Sequence, residues 1–214
     1  MRPSLITNQS LITNQSLIAK TSLIAYSMAA LVVAAPVALA CDGKTEVEAA
    51  FTAQHKGPWR TETESKSDTG VVQTQTFDYQ PPDRIYRKVV SGEESAETIG
   101  IGKVAWSNEG AGWQELKAGV ADIISTHMKG SFAPPKVSVE FKCLENLSYE
   151  GKSYVGYQTT PETVDGKTLA RTILVDPATK LPAFNLVAAP DLSGEPLMKE
   201  AYSYPTDINI EKPL

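Results

Sequence analysis

Two histidines, His55 and His127, are the only side chains in this 214-residue chain that ordinarily titrate near neutral pH. His55 lies near the end of a helical stretch and His127 on a helix flanked by apolar residues, so both read as surface or core residues rather than as general bases. The metalloprotease HExxH, nucleophile-elbow GxSxG, redox CxxC and phosphate-loop patterns are missing from the sequence. Gly100-Ile101-Gly102-Lys103-Val104-Ala105 matches the dinucleotide-binding GxGxxA string by letter. That chemistry needs a helix N-terminus to receive a pyrophosphate, whereas strand-like runs lie on both sides here, so the segment reads as a turn. Acidic residues are numerous but scattered: Glu93-Glu94 fall in a turn, and Glu62 and Glu64 on a solvated strand face. No catalytic residue, metal ligand set or cofactor is expected from these patterns.

Cys41 and Cys143 are the chain's two cysteines. Cys41 directly follows Ser22–Ala40, an apolar, Ala-rich run that ends in Ala38-Leu39-Ala40 and is preceded only by the charges Arg2 and Lys20. A positive start, an apolar middle and a small-residue ending describe a secretory signal peptide over residues 1–40. A membrane anchor of the same length is the competing reading, and Pro36 and the Ala-Leu-Ala ending favour cleavage. Residues 4–25 also carry a six-residue period (SLITNQ, SLITNQ, SLIAKT, SLIA) that stops inside this segment and builds no repeat fold. In an exported protein an even cysteine count favours a Cys41–Cys143 disulfide. The alternative is a lipid-anchored Cys41, but the lipobox order of Leu then a small residue is reversed at Ala38-Leu39. A periplasmic location follows from either version.

Without the first 40 residues, 174 remain, enough for one domain over residues 41–214. Setting aside Arg2 and Lys20 leaves 18 basic against 25 acidic residues, a net charge of −7. No basic run exceeds the pair Arg87-Lys88, so neither a nucleic-acid footprint nor an attraction to anionic membrane surfaces is present.

The elements that would position any site are mostly strands. Phe77–Leu116 contains four short runs rich in Ile, Val, Tyr and Trp, cut by Pro81-Pro82, Ser91-Gly92-Glu93, Gly100–Gly102 and Asn108–Gly112. WRTETESK, from Trp59, alternates polar uncharged or aromatic residues with charged ones, and VVQTQTFDY returns as its partner after Ser67–Gly70. Beyond Pro134-Pro135, KVSVEFKCLENLSY, SYVGYQTTP, TLARTILVD, LPAFNLVAA and a region from Leu197 to Lys212 continue the pattern. Two helices interrupt it. Thr45-Glu46-Val47-Glu48 is a capping box opening a helix over 45–56, and Lys117–Met128 carries Val120, Ile123, Ile124 and His127 or Met128 on one face. Tight turns imply one long antiparallel meander of about 10 to 11 strands, and a sheet that long must curl. The fold class is mainly β (α+β), a strongly curved sheet forming an incomplete barrel with both helices at its mouth.

Four segments resemble the LolA-like superfamily of periplasmic lipoprotein carriers and lipid-binding relatives. They are Tyr79–Arg87 (YQPPDRIYR), Gly102–Trp106 (GKVAW), Ile173–Asp176 (ILVD) and Asp207–Ile210 (DINI). The resemblance implies a half-open barrel whose helices close over a cavity for acyl chains. The expected cavity residues are Phe77, Ile85, Val89, Ile99, Ile101, Trp106, Trp113, Val139, Phe141, Ile173 and Phe184, with Val120, Ile123 and Ile124 on a lid helix. Family carriers place an Arg immediately before the strand's proline. Here Gln80 precedes Pro81, so no latch residue is assigned. The implied function is non-catalytic binding of lipid or lipoprotein acyl chains, with envelope transport proteins as partners. The alternative is a fully packed structural or protein-interaction domain.

Overall fold

The computed structural model describes residues 41–66, 71–133 and 135–213; the expected signal peptide and the turn at Ser67–Gly70 lie outside them. Helix α1 (Gly43–Gln54) starts two residues earlier than the capping box implied. Asp42 is its N-cap, accepting from the Thr45 amide at 3.2 Å and from the Thr45 hydroxyl at 2.7 Å. Glu48 therefore does not close a box; it accepts the Val137 amide at 2.9 Å and ties the helix to a distant segment. Gly43, Val47, Ala50 and Gln54 recur at helical spacing and are buried. A Cβ on Gly43 would collide with the Phe141 carbonyl, so only glycine lets α1 dock this closely. The Cys41–Cys143 disulfide fastens the same end. It also takes up the sulfur that a lipid anchor on Cys41 would need.

Six strands follow as a meander: β1 (Trp59–Lys66), β2 (Val72–Gln80), β3 (Arg84–Ser91), β4 (Glu94–Ile101), β5 (Val104–Asn108) and β6 (Gln114–Glu115). The GxGxxA string is the β4–β5 hairpin, with Gly100 opposite Ala105 and Gly102 in the left-handed region at φ 59. Asn108 shapes the next turn by accepting the Gly110 and Gly112 amides at 3.0 and 3.1 Å. Helix α2 (Ala118–Phe132) then leads to an extended stretch, 135–141, without ladder pairing. A second meander comprises β7 (Lys142–Tyr149), β8 (Lys152–Gln158), β10 (Lys167–Val175), β11 (Pro182–Ala188) and β12 (Met198–Ser203), with β9 (Glu162–Val164) beside β10.

The twelve strands form one antiparallel sheet, curved and unclosed: eleven run in the order β6-β5-β4-β3-β2-β1-β12-β11-β10-β8-β7, and β9 pairs with β10 off this path. A single continuous meander is thus replaced by two, joined where β1 pairs with β12 from Arg60–Ser203 to Glu64–Lys199. Short turns enforce sequential pairing only where they occur, and α2 with the 135–141 stretch carries the chain from one sheet edge to the other. The edges are blunted: β6 has two residues, and β7 is bulged between Leu144 and Leu147. Two expected strands are shorter than their apolar patterns. Val137–Phe141 is extended but unpaired, and the Leu197–Lys212 region is strand only at Met198–Ser203.

Both helices cover one face of the sheet. On it, α1 packs Val47 and Ala50 against Tyr157, Ile173, Val175 and Phe141, and α2 packs Met128 against Trp59, Tyr79 and Ile85. The other face is covered over its N-terminal half by the segment Asp207–Lys212, which runs as a strap. Ile210 inserts beside Ile99 and Trp106, its carbonyl accepts from Arg84 Nη1 at 2.7 Å, and its amide donates to Gln80 Oε1 at 2.7 Å. Gln80 and Arg84 therefore hold a strap rather than a lid.

Candidate functional site: a groove on the helix-covered face

Strand register distributes the expected cavity residues over two faces. Phe77, Ile85, Val89 and Ile173 lie on the helix-covered face, with Phe141 packing there from the extended stretch. Ile99, Ile101, Trp106 and Trp113 form the opposite core with Tyr86, Ile208 and Ile210. Phe184 shares that opposite face but sits over its C-terminal half, against Tyr149 and Tyr154 at ring distances of 5.1 and 5.8 Å. The eleven residues therefore do not surround one hollow. The sheet is buried on both sides, so an apolar residue in a strand can belong to either core.

The lid assignment is also redistributed. Ala121, Ser125 and Met128 are the buried residues of α2, with Ile124 packed beside them. Ile124 approaches so closely that its Cγ2 would lie 2.9 Å from a Cβ on Gly100. Val120 and Ile123 turn outward, Ile123 being 70% exposed. A rotation of about 100° per residue places 121, 124, 125 and 128 on the inner stripe and 120 and 123 beside it.

Under α2 the space is filled. Trp59 and Tyr79 stack at 4.6 Å, Phe77 joins Tyr79 at 5.8 Å, His55 stacks on Trp59 at 5.0 Å and Phe132 meets Trp59 edge-on at 5.6 Å. Burial holds His55 below its ordinary pKa and pushes Tyr79 up to about 12. His127 is exposed, its ring 6.3 Å from that of Phe77. Between the two helix-covered halves runs a polar chain: Arg171 Nε donates to Asn185 at 2.9 Å, Asn185 Nδ2 donates to Glu200 at 2.9 Å, and the Tyr202 hydroxyl donates to Glu200 at 2.6 Å. Burial, followed by the Glu200 charge, raises the Tyr202 pKa well above its usual value.

Beyond α1 the face is not filled. A hollow of about 320 Å³ lies between α1 and the extended stretch, bounded by Val47, Phe51, Val137, Val139, Phe141 and Arg171. A second, of about 510 Å³, adjoins it and shares Val139 and Arg171. Its walls are Val164 and Leu169 from the β9–β10 hairpin, Val187 on β11, and Leu197 just before β12. Register makes these one surface: Arg171 pairs with Val187, whose carbonyl accepts the Leu197 amide at 2.8 Å, and Leu169 pairs with Glu162. Val139, Val164 and Leu197 stay 44%, 50% and 62% exposed along it. Of the expected cavity residues, only Val139 and Phe141 reach this groove. Arg171, Val164, Leu169, Val187 and Leu197 were not expected there. The available signal was the single charge in the apolar run TLARTILV, placed two residues from Ile173 and therefore on the same face.

Among the described residues, no three His, Cys, Asp or Glu side chains gather closely enough to hold a metal ion, and no helix is long and apolar enough to cross a membrane.

No family model and no curated protein matches this chain. Similar solved structures include MucB in complex with MucA(peri), at 14% identity and TM-score 0.43 over 78% of this chain and 58% of that one. Another is the Pseudomonas aeruginosa MucA/MucB complex, at 13% and 0.44 over 78% and 59%. A third is a Vibrio parahaemolyticus domain described as outer membrane lipoprotein-sorting, at 8% and 0.28 over 74% and 92%. This chain spans less than two thirds of those MucB chains, and every one of these TM-scores is below 0.5.

Proposed function

We propose that this protein is an exported, non-catalytic binding domain that shelters the alkyl chain of a lipid, a lipoprotein or another apolar molecule in the groove beside Val139. The observation that carries the reading is the pair of adjoining hollows, about 510 and 320 Å³, whose rim leaves Val139, Val164 and Leu197 in water. Small-molecule sites usually enclose about 300–1,000 Å³ and are lined mainly by apolar side chains. Each methylene removed from water there would contribute about 0.8 kcal/mol, enough to drive binding without a reaction. The apolar Ser22–Ala40 segment and the Cys41–Cys143 disulfide support action in an oxidising compartment outside the cytoplasm. From there it would hand its ligand to envelope transport proteins or retain it.

The test is a titration of the purified protein with an uncharged alkyl-naphthylamine whose fluorescence rises in apolar surroundings. Saturable uptake is expected, and Val139→Glu combined with Leu197→Glu should abolish it while leaving the melting temperature nearly unchanged. Absence of uptake by the unmutated protein overturns the reading. A structural or protein-interaction domain is the second reading, favoured by the aromatic filling beneath α2 and by the strap that fills the opposite face.

A further inference from the structure

We infer that Arg171 makes this groove selective for amphiphiles with an anionic head on an alkyl chain, a refinement that rests on the binding function proposed above. Arg171 lines both hollows, whereas Lys136 lines only the smaller, and among the described residues Arg171 has no ion-pair partner; the pairs found are Arg60–Asp78 and Lys199–Glu150. Its own strand supplies a reason for its orientation. Nε is committed to Asn185, and Asn185 is committed in turn to Glu200, which also accepts from Tyr202. Three strands thus hold one edge of this exposed guanidinium, and among the described residues its Nη groups have no hydrogen-bond partner. A guanidinium prearranged in this way presents parallel donors that match two oxygens of a carboxylate or phosphate.

The surroundings say how the rest of the ligand must look. Val139, Val164, Leu169, Val187 and Leu197 offer aliphatic contact, which suits methylenes, and Thr159 and Thr160 add hydroxyls to the same lining. Glu140 and Glu162 line the larger hollow and repel a head group with surplus negative charge. One anionic group near Arg171 and a chain along the valines and leucines satisfy all three features. A fatty-acid carboxylate and a lipid phosphate share this chemistry, and a monoanion fits the two carboxylates better than a dianion.

Calorimetric titration of the disulfide-intact protein separates the alternatives, with dodecanoate, dodecyl phosphate and dodecanol below their aggregation concentrations. Dodecanoate is expected to bind about tenfold more tightly than dodecanol, the order of one charged hydrogen-bonding contact. Arg171→Gln should erase that advantage, weakening dodecanoate about tenfold more than dodecanol, and Arg171→Lys should retain part of it. Tighter binding of dodecanoate than of dodecyl phosphate identifies a fatty-acid-type carboxylate, and the reverse a phosphate head; either outcome supports the anionic selectivity. Equal affinity for dodecanoate and dodecanol, or an equal loss of both in Arg171→Gln, overturns the selectivity and leaves apolar binding intact. No uptake of any of the three overturns both.

Discussion

Helices α1 and α2 cover the same face of one sheet but are attached to it by different means. α1 begins at a side-chain N-cap, is covalently fixed beside its first turn, accepts an amide of the 135–141 stretch through the Glu48 carboxylate and buries Val47 to 1% exposure. α2 begins at Lys117 without a side-chain cap, contains Gly119 and Gly130, and turns Val120 and Ile123 to solvent. Interior glycines each cost roughly 1 kcal/mol of helix stability relative to alanine. The difference explains where the groove lies. The rigidly tethered helix forms a fixed wall next to an unfilled space, whereas the space under the loosely tethered helix is occupied by aromatic rings that supply its main attachment.

Removing the tether should have the largest effect. The disulfide closes a span of 102 residues, and Cys41→Ser with Cys143→Ser should lower stability by about 4 to 5 kcal/mol in urea unfolding. Hydrogen exchange should show α1 losing protection before α2; simultaneous loss in both would erase the contrast. Truncating Met128 attacks the other helix through its one fully buried large side chain. Met128→Ala should cost about 2 to 5 kcal/mol, and exchange should then localise the damage to α2 and the Trp59–Tyr79 stack. Gly100→Ala puts a methyl where Ile124 already sits, so a loss of about 1 to 3 kcal/mol is expected with displacement of α2. Ile123→Ser, by contrast, should change stability by no more than about 0.5 kcal/mol, since that side chain faces water.

The smallest effect concerns the α1 cap and depends on pH. Hydrogen bonds from the Thr45 hydroxyl and amide hold the Asp42 carboxyl below its ordinary value of 3.8. A depressed folded-state value means that the carboxylate stabilises the fold above the unfolded value, and that this contribution is lost as pH falls through the folded one. The melting-temperature difference between the unmutated protein and Asp42→Ala should therefore be present at neutral pH and shrink in acid. A difference that does not change with pH would remove the carboxylate from the cap.

Much of the fold was legible because strand alternation and turn residues are local signals. WRTETESK, the Ser91-Gly92-Glu93 and Asn108–Gly112 turns and the Cys41–Cys143 pairing all stand where their patterns placed them. The pairing of β1 with β12 was not legible, because no local signal sets which distant edges meet. Site positions were less readable still. Trp106 and Phe77 look alike as strand aromatics, and only register through three hairpins places them on opposite faces of the sheet. The groove gathers Val139, Val164, Leu169, Arg171, Val187 and Leu197 from separate segments, and only Arg171 stands out within its own run.

Native mass spectrometry of the disulfide-intact protein purified without detergent tests the central claim most directly. The account predicts a bound alkyl-containing species of a few hundred daltons that disappears in the Val139→Glu, Leu197→Glu variant. A mass equal to that of the oxidised polypeptide alone, unchanged after incubation with dodecanoate, would contradict it and leave a β domain that works through its surface.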